Sequence, residues 1–341
     1  MKIVDTVVLV VSIAATIGLL GSYTAPYVDP NVFYPSSLLG LGYHYLLLGN
    51  LVLFGYWLVR WRRMALVSLA VILCGYPFIR TYYGFNSDGE TDGTAGDVSL
   101  MSYNICQMAL HDSCSREGIA GYVEAFDGDF VCLQEFPKGE SAYALFPSYV
   151  ERWRHGDAAI LSRRPFASRG SVSFPKGCSA SCAYADIVLP KDTVRVYCVH
   201  LESYRLGRKE QKIYRELTGG TSDDISQGVK TILGRLVAAN KNRAREAAII
   251  KRHMRESPHP VVICGDFNDT PLSYPYHLLH QDLRDSFVEK GRGLGNTYIG
   301  EFPSFRIDHI LHDAALETVS YLRDTVLYSD HYAIQAKMKL K

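Results

Sequence analysis

Apolar residues crowd into one end of this chain. Three runs, Thr6–Tyr23, Ser37–Val59 and Met64–Ile79, carry no Lys, Arg, Asp or Glu. A helix needs about 20 apolar residues to cross the hydrocarbon core of a bilayer. The second run meets that length, and the first and third approach it through the flanking tyrosines Tyr23, Tyr82 and Tyr83, which suit the interface. Residues 1–80 are therefore expected to form a membrane anchor of three transmembrane helices, making the protein integral and multi-pass. Whether the first run is instead a cleaved signal peptide stays open. His44 and Asn50 lie inside the second run and are expected to make interhelical contacts rather than conduct an ion.

The placement of Arg and Lys orients this anchor. Arg60-Trp61-Arg62-Arg63 joins the second and third runs, while Ser22–Ser36, between the first and second, holds neither Lys nor Arg. The positive-inside rule puts the Arg cluster in the cytoplasm and everything after Arg80 on the extracytoplasmic side. Residues 81–97, rich in Gly, Asp, Ser and Thr, read as a flexible linker. Residues 98–341 have the mixed pattern of a soluble domain.

Charge narrows what that domain binds. The whole chain carries +1, and from residue 91 onward Lys+Arg and Asp+Glu balance at 31 each. This excludes a polycation built to coat nucleic acid. The mildly basic stretch Arg205–Arg255 reads as a solvated helical face. Of the eight cysteines, Cys106, Cys132, Cys198 and Cys264 fall in short apolar runs, where they read as small core residues. Their spacing is not that of a zinc finger. Cys178 and Cys182 lie close enough for a disulfide in an oxidising compartment, which the spacing leaves undecided.

Short strands are expected at Val98–Ile105, Asp129–Leu133, Ala158–Ser162, Ala183–Leu189, Val194–Leu201, Pro260–Cys264, Ile307–Leu311 and Tyr332–Met338. Helical spacing marks Ser115–Phe126 and a long span, Tyr204–Arg255, broken near Gly219-Gly220. Many strands with few helices point to two packed sheets flanked by helices. Residues able to bind metal or move protons recur at the strand ends: Asn104, Glu135, His200, Asp266 with Asn268, Asp308, and Asp330-His331. Ends on one edge of a sheet converge in space, and sites collect there.

These side chains suit phosphoester hydrolysis. A hard cation such as Mg2+ takes oxygen ligands, which Glu135 and Asp330 supply. Asp266 and Asn268 can hold an attacking water, and His200 and His331 can donate to phosphate oxygens or a leaving group. Asp308 is the expected carboxylate partner of His331. Each feature alone has a plainer reading. A Gly-Asp after an apolar run is more often a turn than a site, and a histidine at a strand end is more often a satisfied structural group.

Together and in order, the motifs resemble a known family. Ser102-Tyr-Asn-Ile105, Leu133-Gln-Glu135, Ala159-Ile-Leu-Ser-Arg163, Val199-His-Leu201, Gly265-Asp-Phe-Asn-Asp269, Arg306-Ile-Asp-His-Ile310 and Ser329-Asp-His-Tyr332 are similar to the endonuclease/exonuclease/phosphatase superfamily, the deoxyribonuclease I-like fold. The resemblance implies an α/β protein, a four-layer α/β/β/α sandwich, hydrolysing phosphoesters with Mg2+ or Mn2+ and no covalent intermediate. It gives Glu135, Asp330 and Asn104 to the metal. Asn104, Asn268 and His200 go to phosphate. His200, Asp266, Asn268, Asp308 and His331 go to catalysis. A histidine at position 200 resembles the deoxyribonuclease, sphingomyelinase and inositol-phosphate phosphatase branches more than the abasic-site endonucleases. Thr297 and Tyr298 receive no role. The expected protein is a membrane-anchored, divalent-metal-dependent phosphoesterase acting on a phosphodiester or phosphomonoester of a lipid headgroup or a nucleic acid. The alternative is a catalytically silent scaffold of the same fold. Oligomeric state does not follow from the sequence.

Overall fold

The computed structural model describes residues 3–86, 97–108, 116–204, 222–299 and 304–341. Five helices open the chain: α1 (Ile3–Ser22), α2 (Pro35–Leu41), α3 (Tyr43–Val59), α4 (Met64–Cys74) and α5 (Tyr76–Tyr82). Helix α1 is long and apolar enough to cross a membrane. The second and third apolar runs depart from the straight spans expected. Helices α2 and α3 meet at a 67° bend, and α4 and α5 at 55°. The breaks fall at Gly42 and Gly75, and Pro77 enters the first turn of α5, where its ring cannot continue a preceding helix. By length and apolarity one helix here could cross a membrane, or up to three if each bent pair counts as one.

Polar groups inside the bundle bond between helices, as expected of His44 and Asn50. Asn50 Nδ2 donates to the Ala15 carbonyl at 3.0 Å, and His44 Nδ1 meets the Tyr83 hydroxyl at 2.8 Å. Trp57 Nε1 donates to Ser12 Oγ at 2.8 Å. Arg60 bonds Asp5 at 2.8 Å, so the start of α1 and the end of α3 share one end of the bundle.

The strands are β1 (Gly84–Phe85), β2 (Val98–Asn104), β3 (Phe130–Gln134), β4 (Glu151–His155), β5 (Ala158–Ser162), β6 (Phe166–Ser171), β7 (Ser181–Val188), β8 (Thr193–His200), β9 (Val261–Asp266), β10 (Arg284–Asp285), β11 (Arg292–Gly293), β12 (Asp308–His312), β13 (Leu316–Arg323) and β14 (Ile334–Leu340). The accompanying helices are α6 (Arg116–Ala125), α7 (Ser222–Arg255), α8 (Tyr274–His280) and α9 (Ser286–Lys290). One six-stranded sheet runs β13-β14-β2-β3-β5-β4 and the other β10-β12-β9-β8-β7-β6. Side chains alternate across each strand. In β2, Leu100 faces the space between the sheets, where it joins Phe130 and Cys132 of its own sheet and Val196, Cys198, Val262 and Cys264 of the other. Met101 and Tyr103 face outward under Ile119 and Val123 of α6. On the far side, Ala247, Ile250 and Met254 of α7 and Leu279 of α8 cover Tyr197, Val199 and Ile263. These are the four layers of the α/β/β/α sandwich. Cys178 and Cys182 are free thiols, with Cys182 buried in β7.

The N-terminal helices dock on the domain directly. Thr81 and Tyr82 end α5, and β1 pairs with β11 through Gly84 and Gly293. The first residues read as linker are therefore ordered against the domain, while 87–96 lie outside the described residues. Likewise, of the long helical span, α7 is described and the Gly219-Gly220 break is not. Asn240 Nδ2 donates to Ser37 Oγ at 2.8 Å, and Arg306 Nη2 donates to the Thr81 carbonyl at 2.8 Å. Leu272 packs among Leu19, Tyr43 and Tyr82. Gly40 permits this approach, because a Cβ there would lie 2.6 Å from the Leu272 carbonyl oxygen. The docking end of the bundle is opposite the Asp5–Arg60 end.

Candidate active site

Each sheet contains one parallel pair, β2–β3 crossed over by α6 and β8–β9 crossed over by α7. Parallel neighbours end on the same edge, so Asn104 pairs in register with Gln134 and His200 with Asp266. Strand β12 runs antiparallel to β9 and begins opposite its end, with Asp308 paired to Asp266. Gly265 makes the tight approach possible. Its φ is 143°, and a Cβ would sit 2.0 Å from the Val199 carbonyl oxygen.

Asp266 stands at the centre. Its Oδ2 accepts from Asn104 Nδ2 at 3.0 Å and lies 3.7 Å from His331 Nε2 and 3.9 Å from His200 Nε2. Its Oδ1 accepts the Asn268 backbone N–H at 2.7 Å, and Asn268 Nδ2 donates to the Leu201 carbonyl at 2.9 Å. His331 Nδ1 bonds Asp308 Oδ2 at 2.8 Å. Thr297, fully buried, accepts the backbone N–H groups of Ile307 and Asp308 on Oγ1, both at 3.1 Å, and so fixes the start of β12. The Tyr298 ring packs edge-on against His331 with centroids 5.2 Å apart.

Glu135 borders this centre, with Oε1 3.4 Å from Asn104 Nδ2. Glu135 and Asn268 both have φ of 53°, a left-handed conformation uncommon outside glycine. Such backbone persists where the surroundings impose it, and it clusters at functional sites. Asp330 is joined less directly. Its Oδ1 lies 3.3 Å from Ser329 Oγ, which donates to the Asn104 carbonyl at 2.7 Å. Asp266, Asp308 and His331 also offer atoms within 4.8 Å of one another, close enough to share an ion. The Asp308–His331 bond already accounts for that proximity, and a hard divalent cation prefers oxygen to imidazole nitrogen. Glu135 offers a carboxylate oxygen at the rim of the centre that better suits such an ion, beside Asn104, whose Oδ1 accepts the Cys106 N–H at 3.0 Å.

Residues 101–331 match the endonuclease/exonuclease/phosphatase family. The chain belongs to that family. A domain of unknown function matches residues 5–82, over the N-terminal helices. No curated protein matches the sequence. Among solved structures, the chain is similar to an endonuclease/exonuclease/phosphatase family protein from Bacteroides thetaiotaomicron, at 17% identity and a TM-score of 0.52, covering 71% of this chain and 97% of that one. A mannosyl-6-phosphatase from the same organism gives 18% and 0.52, over 71% and 99%. D. rerio TDP2, complexed with a single-strand DNA product, gives 16% and 0.52, over 71% and 98%. At these identities the likeness shows the fold alone.

Within this family member, charge is concentrated at the site. Burial pushes Asp266 up, as does the Asp308 charge, against the pull of His331 and His200, to about 6. Burial alone would lower His331, but Asp308 and Asp266 outweigh it and raise the imidazole to about 10. His200 is likewise raised to about 9, its burial overcome by Asp157 and Asp266.

Asp157 is the residue that sequence reasoning missed. Its Oδ2 lies 3.0 Å from His200 Nδ1, giving His200 a carboxylate partner as Asp308 does for His331. It sits with Gly156 in the turn between β4 and β5, and Ser181 Oγ accepts its backbone N–H at 3.2 Å. An Asp after a Gly is an ordinary turn signal. Only the pairing of Ser181 with His200 across β7 and β8 brings that turn to the site.

Proposed function

We propose that this protein is a membrane-anchored phosphoesterase that uses a divalent metal to hydrolyse a phosphodiester or phosphomonoester by direct attack of water. The observation that carries the reading is the convergence of Asn104, His200 and His331 on Asp266 Oδ2 within 3.9 Å. Asp266 orients the attacking water and accepts its proton, a role favoured by a carboxylate raised toward neutrality. Asn268 orients water and phosphate beside it. The imidazoles of His200 and His331, each held through Nδ1 by a carboxylate, donate to the phosphate oxygens as negative charge builds, and His200 protonates the leaving oxygen. Asn104, beside Glu135, bridges the phosphate and the rim of the centre. Glu135, Asp330 and Asn104 would hold Mg2+ or Mn2+, which neutralises phosphate charge and lowers the barrier to attack. In this scheme the water's proton moves to Asp266, one P–O bond forms as another breaks, and no covalent intermediate arises.

The anchor is proposed to be multi-pass, contacting membrane lipid, with the catalytic domain on the extracytoplasmic side. Two features support this orientation. Arg60, Arg62 and Arg63 lie at the bundle end that the Asp5–Arg60 pair defines, and the domain docks at the other.

The test is hydrolysis of bis-p-nitrophenyl phosphate by the full-length protein in detergent. Turnover should require Mg2+ or Mn2+, vanish with EDTA, and fall at least about a thousandfold in Asp266→Ala and Glu135→Ala. Metal-independent turnover, or turnover indifferent to both substitutions, would overturn the mechanism.

A further inference from the structure

The two sheets end at edge strands β4 and β6, and between them lies a cavity of about 440 Å3 lined by Gly139, Tyr143, Arg152, Trp153, Arg154 and Arg169. Three guanidinium groups in one cavity repel each other unless a negative charge joins them. Neighbouring arginines have such partners: Arg163 pairs with Asp127, Arg164 with Asp129 and Arg195 with Asp186. Among the described residues, no carboxylate pairs with Arg152, Arg154 or Arg169. Their bonds go to carbonyl oxygens, of Tyr149 and Phe146 for Arg152, of Pro137 for Arg154 and of Arg152 for Arg169. A guanidinium carries five N–H donors, and most of those on these half-buried or exposed side chains face solvent, open to a ligand.

The cavity is close to the proposed site. Arg154 precedes Asp157 by three residues on the hairpin whose Asp157 bonds His200. Three residues reach at most about 10 Å when fully extended, and the Gly156-Asp157 turn shortens that, which is the scale of one small phosphorylated group beside another. The aromatic walls speak to the kind of ligand. The Tyr143 face is covered by Arg152 and the Trp153 face by Arg169, with guanidinium carbons 5.8 and 5.1 Å from the ring centroids. Nucleobases bind by stacking on open aromatic faces, and these are taken. Planar guanidinium forks instead match phosphate oxygens.

We propose that this cavity binds a second, non-scissile phosphate carried on a compact headgroup of the substrate. The proposal rests on the phosphoesterase reading for its substrate and on the arginine geometry for its location. Arg154 and Arg169 are the specificity determinants. Arg152 also ties down the Phe146–Tyr149 turn and is left intact in the test.

The experiment compares the full-length protein with R154Q/R169Q on substrates that differ by one phosphate. Vesicles containing phosphatidylglycerol phosphate are set against vesicles containing phosphatidylglycerol, and pTpT against TpT, with bis-p-nitrophenyl phosphate as baseline. The wild type should prefer phosphatidylglycerol phosphate by about tenfold or more, through KM. The double variant should lose that preference while its bis-p-nitrophenyl phosphate turnover stays unchanged. A preference that is absent, or that survives in R154Q/R169Q, overturns the proposal. So does a preference confined to pTpT, which would assign the cavity to nucleic acid. Titration with inorganic phosphate, followed by Trp153 fluorescence, reads the cavity without turnover. Binding weakened about tenfold in R154Q/R169Q supports it, and binding left unchanged overturns it, even if no ester is hydrolysed and the phosphoesterase reading itself fails.

Discussion

His331 and His200 both turn Nε2 toward Asp266, at 3.7 and 3.9 Å, and both bond a carboxylate through Nδ1. Their carboxylates are set differently. Asp308 is 1% exposed at the head of β12, between β9 and the buried Thr297. The Asp157 side chain is 40% exposed and sits on a hairpin turn. A hydrogen-bonded charge pair shut away from water depends on both members, because either alone is left buried and uncompensated. A pair with one member in solvent loses less when broken. The first dyad is therefore part of the frame as well as of the proposed chemistry, whereas the second is an adjustable attachment to it.

The sharpest way to break this comparison is to neutralise each carboxylate without changing its size. Asp308→Asn should cut kcat by about a thousandfold, within the usual reach of a general acid–base group and its orienting partner. Asp157→Asn should cut it only about tenfold. Metal-saturated kinetics on a soluble ester measure both, and equal losses would erase the distinction. The same substitutions separate the dyads by stability. Asp308→Asn should destabilise the domain by about 3 kcal/mol, the low end for breaking a buried pair. Asp157→Asn should cost about 1 kcal/mol or less after allowance for solvent. Denaturant midpoints at constant slope decide it.

The dyads also differed in how readable they were. Asp308 and His331 lie in Arg-Ile-Asp-His-Ile and Ser-Asp-His-Tyr, and their pairing was expected from those motifs. Asp157 carries no such mark, since its role depends on strand register through Ser181 and His200, which spacing along the chain does not reveal. The same limit applies to the anchor. Hydropathy found all three apolar runs, but it does not register a bend, so the breaks at Gly42 and Gly75 stayed invisible. Nor does composition report that Ser37, Gly40 and Thr81 touch Asn240, Leu272 and Arg306, contacts that exist only once two separate segments meet. The two packed sheets were legible because their central strands are short apolar runs buried on both faces, and the four-layer order came with the family resemblance.

One docking contact extends the comparison. Arg306 is fully buried, bonds Asp285 at 2.8 Å, and donates to the Thr81 carbonyl at the end of α5. It stands two residues before Asp308, so the frame dyad is fastened to the N-terminal helices, and no bond of this kind ties Asp157 to them among the described residues. Arg306→Met should slow turnover by about tenfold to thirtyfold by loosening Asp308, and it should leave the Asp157→Asn effect unchanged in a double-mutant cycle. A coupling energy between positions 306 and 157 as large as that between 306 and 308 would contradict the separation.

The smallest expected effect is the pH dependence of stability in metal-free protein, and it sharpens the comparison most. Both imidazoles are raised above their ordinary value by their carboxylates. A group with a raised folded pKa stabilises the fold fully below its unfolded value, about 6.5, and loses that contribution as pH climbs through the folded value. The loss should begin near the unfolded value and be complete near 9 for His200 and near 10 for His331. In EDTA, the stability gap between wild type and Asp157→Asn should therefore be full at pH 6 and close by about pH 9 to 10, whereas the gap to Asp308→Asn should persist about one pH unit further. Paired unfolding curves across that range measure the two closures. If they coincide, the exposed and the buried carboxylate hold their histidines alike, and the difference in burial does not set the difference in role.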